Sequence, residues 1–126
     1  MKPSKEKKRK VLIVDDNRDL CEMLKDVLEM ENFKVDFALN GAQAVQLMRA
    51  MKFDVVLLDI KMPGMDGIQT YEKLKALAPN VPVIMITAYA VEELIKEAMN
   101  LGAFAALKKP FDFEELLETI DKATGR

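Results

Sequence analysis

Histidine and tryptophan are absent from this 126-residue chain, and cysteine occurs once, as Cys21. The missing histidine excludes most. It removes Ser-His-Asp and Cys-His nucleophile pairs, His-ligated metals, and phosphohistidine carried by the chain itself. A lone cysteine excludes an internal disulfide and any cysteine-rich zinc or iron–sulfur site. No stretch approaches the roughly twenty apolar residues of a membrane span. The basic start of the chain is not followed by the apolar core of a secretory signal. No glycine-rich phosphate loop follows any apolar run, which excludes dinucleotide and P-loop enzymes at the level of motif. One thiol beside nine methionines suits a reducing, cytoplasmic setting. Carboxylates, lysines and hydroxyls are left to carry any chemistry.

What is present is charge, nearly balanced overall and unevenly placed. Nineteen Lys and Arg face twenty-one Asp and Glu, a formal net charge of -2. Residues 1–10 hold Lys2, Lys5, Lys7, Lys8, Arg9 and Lys10 against Glu6, so they carry +5 and leave -7 for the rest. A basic tail can grip nucleic acid or an acidic partner. Nothing aromatic interleaves with these charges, which favours a solubilising flank that also charges the edge of the first strand. Residues 1–9 are therefore expected to be a flexible tail and 10–126 one domain. That length suffices for a single core without staples.

Beyond the tail two textures alternate. Short apolar or β-branched runs fall at Val11–Val14, Val35–Leu39, Val55–Leu58, Val83–Ile86 and Ala103–Leu107. Between them lie helical patterns. Leu20, Leu24, Val27 and Leu28 recur at three- and four-residue steps, and Gly41–Met51, Gly67–Ala78, Val91–Leu101 and Phe113–Ala123 read alike. Asn40-Gly41 starts one helix, Pro79-Asn80 ends another, and Gly102 sits where a C-cap glycine belongs. Five strand–helix alternations predict an α/β domain whose parallel sheet is covered by helices on both faces.

In open α/β sheets the functional crevice lies beyond the carboxyl ends of the strands. Asp15 and Asp16 follow the first run, Asp59 the third, Thr87 the fourth, and Lys108 and Lys109 the fifth. Crowded carboxylates repel one another unless a cation sits between them. A hard divalent ion such as Mg²⁺ suits an all-oxygen site, and it attracts phosphate oxygens at its open positions. Lys109 adds a mobile positive charge and Thr87 a hydroxyl donor. The set reads as a Mg²⁺-assisted phosphoryl site with a carboxylate nucleophile. Each element has a plainer reading alone. Asp16 or Asn17 can cap the first helix, Asp59 can cap a turn, and Thr87 can be an ordinary strand-end hydroxyl. Their occurrence together at successive strand ends favours the site.

From about Lys10 to Thr124 the chain resembles a receiver domain of two-component response regulators, of the single-domain chemotaxis or sporulation-phosphorelay type. Matching segments are Val11-Leu12-Ile13-Val14-Asp15-Asp16-Asn17, Val55–Gly67 with Asp59, Lys61 and Met62-Pro63-Gly64, Pro82–Tyr89 with Thr87, Gly102-Ala103, and Lys109-Pro110-Phe111. The resemblance implies a doubly wound (βα)5 sheet, the flavodoxin-like receiver fold. It implies that Asp59 accepts phosphoryl from a phosphohistidine on a sensor histidine kinase or histidine phosphotransfer protein. The histidine this chain lacks is then supplied in trans. Asp16, Asp59 and the Lys61 backbone carbonyl would hold Mg²⁺, with Asp15 acting largely through a metal-bound water. Thr87 and Lys109 would contact the phosphoryl oxygens, and the Lys109-Pro110 bond would be cis. Such a protein catalyses only its own Mg²⁺-dependent phosphorylation and dephosphorylation, and switches a downstream target protein. No membrane and no direct nucleic-acid contact is expected of the domain.

Two features set this chain apart within that pattern. Ala106 stands three residues before Lys109, where many receivers have an aromatic switch residue. Switching is therefore expected to rest on Thr87 and loop movement, with Phe104 a core or interface residue. Bulky Lys61 and Tyr89, two residues after Asp59 and Thr87, are expected to obstruct water and slow autodephosphorylation. Partner docking is expected at Leu20, Met23, Pro110 and Phe111. An aspartyl-nucleophile phosphohydrolase would want an Asp where Lys61 stands, and a cap domain. A pseudo-receiver would show a broken acidic pocket. The chain ends with its last helix, so a stand-alone receiver and a domain of a longer regulator both remain open.

Overall fold

A strand that is apolar at every position needs cover on both faces, and Val11-Leu12-Ile13-Val14 and Val55-Val56-Leu57-Leu58 have it, with no exposed surface. The computed structural model describes residues 8–60, 67–87 and 92–125. Five strands alternate with five helices. They are β1 (Arg9–Val14), α1 (Arg18–Met30), β2 (Phe33–Ala38), α2 (Gly41–Ala50), β3 (Val55–Asp59), α3 (Gly67–Leu77), β4 (Val83–Thr87), α4 (Glu92–Asn100), β5 (Ala105–Lys108) and α5 (Phe113–Ala123). The strands form one parallel sheet in the order β2-β1-β3-β4-β5. The expected doubly wound (βα)5 fold is present.

Strand side chains alternate between two apolar layers. Leu12, Val14, Val56, Leu58, Val83 and Met85 pack with Met48, Tyr71, Leu74 and Ala98 from α2, α3 and α4. Val11, Ile13, Val55, Leu57, Ile84 and Ile86 pack with Cys21, Leu24, Leu28, Leu116 and Ile120 from α1 and α5. No described helix is long and apolar enough to cross a membrane.

The local signals act where the residues place them. Asn17 caps α1, its side chain accepting from the Leu20 N–H at 3.1 Å, so the cap is Asn17 and not Asp16. Asn40 caps α2 through the Gln43 N–H at 2.8 Å, while the Gln43 side chain accepts from the Leu39 N–H. Gly102 adopts φ 109° after α4, and the Ala103 N–H returns to the Ala98 carbonyl. The Lys109-Pro110 bond is cis.

Three expectations shift. β1 lies between β2 and β3, so the basic residues before it do not guard a sheet edge. The strand itself starts at Arg9, whose guanidinium lies 4.4 Å from the Phe33 ring centroid and 2.7 Å from Asp121 on α5. β5 begins at Ala105, so Phe104 precedes the strand, and its 43% exposure removes it from the core.

Candidate functional site

The order β2-β1-β3 reverses the direction of winding at β1, which opens a crevice at the carboxyl ends of β1 and β3. Asp15 follows β1 and Asp59 ends β3, and both are buried, at 0% and 6% exposure. Asp16 is exposed beside them. One carboxylate oxygen from each of these three residues lies within 4.8 Å of the others.

Neighbouring backbone and side chains fix these carboxylates. The Asp15 N–H donates to the Ala38 carbonyl at 3.1 Å, while its carboxylate accepts from the Asn17 N–H at 3.0 Å. Lys109, just past β5, donates to Asp15 at 2.5 Å and to Asp59 at 3.5 Å. Its own N–H donates to the Thr87 carbonyl at 2.6 Å, joining the β4 and β5 ends. Burial pulls the Lys109 ammonium toward neutrality. The hydrogen bond to Asp15 and the charges of Asp59 and Asp15 outweigh it, and the net shift is upward. A charged lysine thus serves as counter-ion to two buried carboxylates. Thr87 completes the rim, 1% exposed at the end of β4.

Of the six residues expected at the strand ends, Asp15, Asp16, Asp59, Thr87 and Lys109 stand around one crevice, whereas Lys108 ends β5 exposed. Lys61 and Tyr89 lie outside the described residues. Of the expected docking residues, Met23 is 52% exposed and Pro110 is exposed, whereas Leu20 and Phe111 are half-buried against the α1/α5 core. Ala106 is half-buried against the opposite core layer, beside Met85 in the β4–β5 register.

Two supporting residues were not legible as such. Cys21 donates from Sγ to the Asp15 carbonyl at 3.4 Å. Gly67 sits so close to Ile60 that a Cβ would stand 2.1 Å from the Ile60 Cα. An Asp-x-Asn spacing hints at the turn that links Asp15 with Asn17. Neither a lone Cys nor a lone Gly carries a comparable signal.

Residues 11–121 match the response regulator receiver domain family. The chain belongs to that family. This receiver is 39% identical over 113 residues to sporulation initiation phosphotransferase F of Bacillus subtilis (strain 168), covering 90% of this chain and 91% of that protein. It is 42% identical over 113 residues to the transcriptional regulatory protein ZraR of Escherichia coli (strain K12), but spans only 26% of that protein's length. Among solved structures, a CheY-like receiver domain protein from Methanospirillum hungatei JF-1 superposes with a TM-score of 0.91 at 33% identity, covering 94% of this chain and 95% of that one. Chemotaxis protein CheY4 of Vibrio cholerae gives 0.86 at 29% identity, covering 93% and 99%. The receiver is a signalling domain of the phosphoacceptor class.

Proposed function

We propose that Asp59 is the residue that accepts the phosphoryl group, from a phosphohistidine on a sensor histidine kinase or histidine phosphotransfer protein. The observation that carries this reading is the three-carboxylate crevice with Lys109 reaching two of its members. Asp59 offers a carboxylate at a strand end, and its neighbours are arranged to take up added negative charge. In the transfer, the phosphorus–nitrogen bond of the partner's phosphohistidine breaks as a phosphorus–oxygen bond to the Asp59 carboxylate forms. The imidazole leaves with the bonding electrons.

The residues present fit a hard divalent cation. Three carboxylates lie within 4.8 Å of one another, two of them buried, and oxygen donors of this kind suit Mg²⁺. Asp15, Asp16 and Asp59 would hold it, joined by the Lys61 carbonyl that the family pattern supplies. When bound, such an ion neutralises the carboxylates and polarises phosphoryl oxygens. Lys109, already a partner of Asp59, then orients a phosphoryl oxygen by charge, and the Thr87 hydroxyl donates to another. Lys61 and Tyr89 slow autodephosphorylation by obstructing the line of water attack. Met23 and Pro110, with the half-buried Leu20 and Phe111, form the docking rim for the phosphodonor. The setting is cytoplasmic, and the output is altered binding of a downstream protein.

Incubation with acetyl phosphate and Mg²⁺ tests this directly. Intact mass should show one added phosphoryl group, lost with chelator and in Asp59→Asn. The label should decay slowly, and faster in Tyr89→Ala. Label retained by Asp59→Asn overturns the assignment of Asp59.

A further inference from the structure

At the opposite end of the sheet, the amino-terminal ends of β1, β2 and β3 carry a second charged feature. Lys8, Arg9, Lys10, Lys34, Lys52 and Asp54 line a groove of about 610 Å³. Parallel register brings these charges together, because Lys10 stands beside Lys34 and Asp54 lies just before β3. The floor is tied by a reciprocal pair of hydrogen bonds. The Lys10 N–H donates to the Asp54 carboxylate at 2.7 Å, and the Asp54 N–H donates to the Lys10 carbonyl at 2.8 Å. Arg9 is engaged by Asp121 and Phe33. The ammonium groups of Lys8, Lys10, Lys34 and Lys52 make no ion pair among the described residues. Sequence places Lys2, Lys5 and Lys7 immediately before them.

Lys52 also lines a neighbouring groove of about 480 Å³ between the ends of α2 and α3. Met48, Met51, Phe53, Leu77 and Val81 supply its apolar lining beside Arg49 and Asn80, and Leu77 is 41% exposed. A cluster of lysines outside any described ion pair therefore continues, through Lys52, into a trough with an apolar lining.

We propose that this joint surface docks an acidic, amphipathic segment of a partner protein. Carboxylates of the segment meet Lys8, Lys34 and Lys52, and its apolar side chains enter the Met51–Leu77 trough. A nucleic-acid backbone matches the lysines but leaves the trough unfilled. The rings at hand, Phe33 under Arg9 and Phe53 between Lys52 and Asp54, are 2% and 5% exposed and offer no base a stacking face. The surface lies about 20 Å from the carboxylate crevice, one strand length away. Docking there and phosphoryl acceptance are thus compatible in one molecule.

The test uses the full chain and three probes: a fluorescein-labelled 18-residue helical peptide of Glu and Leu with one apolar face, poly-Glu of equal length, and a 16-base-pair DNA duplex. The Glu/Leu peptide should bind most tightly. Lys34→Glu/Lys52→Glu should weaken it at least tenfold, and Leu77→Ser several-fold, with acetyl phosphate labelling unchanged as the check on folding. Peptide binding indifferent to either substitution overturns the proposal. So does poly-Glu binding equally well, which reduces the surface to bare charge, or duplex DNA binding more tightly, which reassigns it.

Discussion

Lys109 shows how one side chain makes a crowded acidic crevice tolerable, since its ammonium faces Asp15 and Asp59 together. Cys21 meets Asp15 as well, through the Asp15 backbone carbonyl and not its carboxylate. Along the chain Cys21 stands between Leu20 and Glu22, with no cation directly beside it. The fold brings the Lys109 charge near enough to favour the thiolate, and Arg18, one helical turn earlier, acts the same way. Burial prevails, and with the Asp15 charge it pushes the thiol up to about 12. The expected consequence is a thiol that iodoacetamide does not modify in the native protein at pH 8. In guanidinium chloride it should be modified fully, as read by intact mass. Rapid modification of native protein would show that α1 opens around Asp15.

Elements were legible wherever their pattern is local. The all-apolar runs marked β1 and β3, the Asp16-Asn17 pair marked the start of α1, and Asn40-Gly41 marked that of α2. Boundaries that depend on pairing were not. β1 and β2 each start two residues before their apolar-run limits because Arg9 pairs with Phe33 and Lys10 with Lys34 across the sheet. β5 starts later because Gly102 and Ala103 are occupied in closing α4. The join between β3 and α3 depends on a contact that no local pattern signals. The Gly67 N–H donates to the Ile60 carbonyl at 3.0 Å, and Ile60 Cα, carbonyl carbon and oxygen all lie within 2.5 Å of where a Cβ would stand. Backbone cannot rotate away as a side chain can. Gly67→Ala should therefore cost about 3 kcal/mol or more. Gly125→Ala is the control. There a Cβ meets nothing within 4 Å, and only the φ of 82° opposes it, at about 1–2 kcal/mol. Denaturant midpoints distinguish the two, and equal losses would mean that the close approach to Ile60 is not what requires glycine.

At the scale of the molecule, the near-zero net charge conceals two opposed ends. The acidic end gathers Asp15, Asp16 and Asp59, and the basic end gathers lysines from the starts of β1 and β2 and the approach to β3. The acidic end was readable, since strand-end positions in a parallel sheet converge by rule. The basic end was not, because Lys34 and Lys52 are isolated in sequence and meet Lys10 only through strand register and the course of the α2–β3 loop. A divalent ion held only by the folded crevice stabilises by about 1.4 kcal/mol at ten times its dissociation constant. That corresponds to roughly 5 °C in Tm for a chain of this size. Thermal unfolding with Mg²⁺ and with EDTA should show this gain, and Asp16→Asn, at an exposed position, should lose most of it. Lys109→Met should lower Tm in EDTA, because Asp15 and Asp59 lose their counter-ion, yet enlarge the gain with Mg²⁺, since lysine and metal compensate the same carboxylates. An undiminished gain in Asp16→Asn would place the ion elsewhere. A Lys109→Met variant with no added response would separate the lysine's role from the metal's.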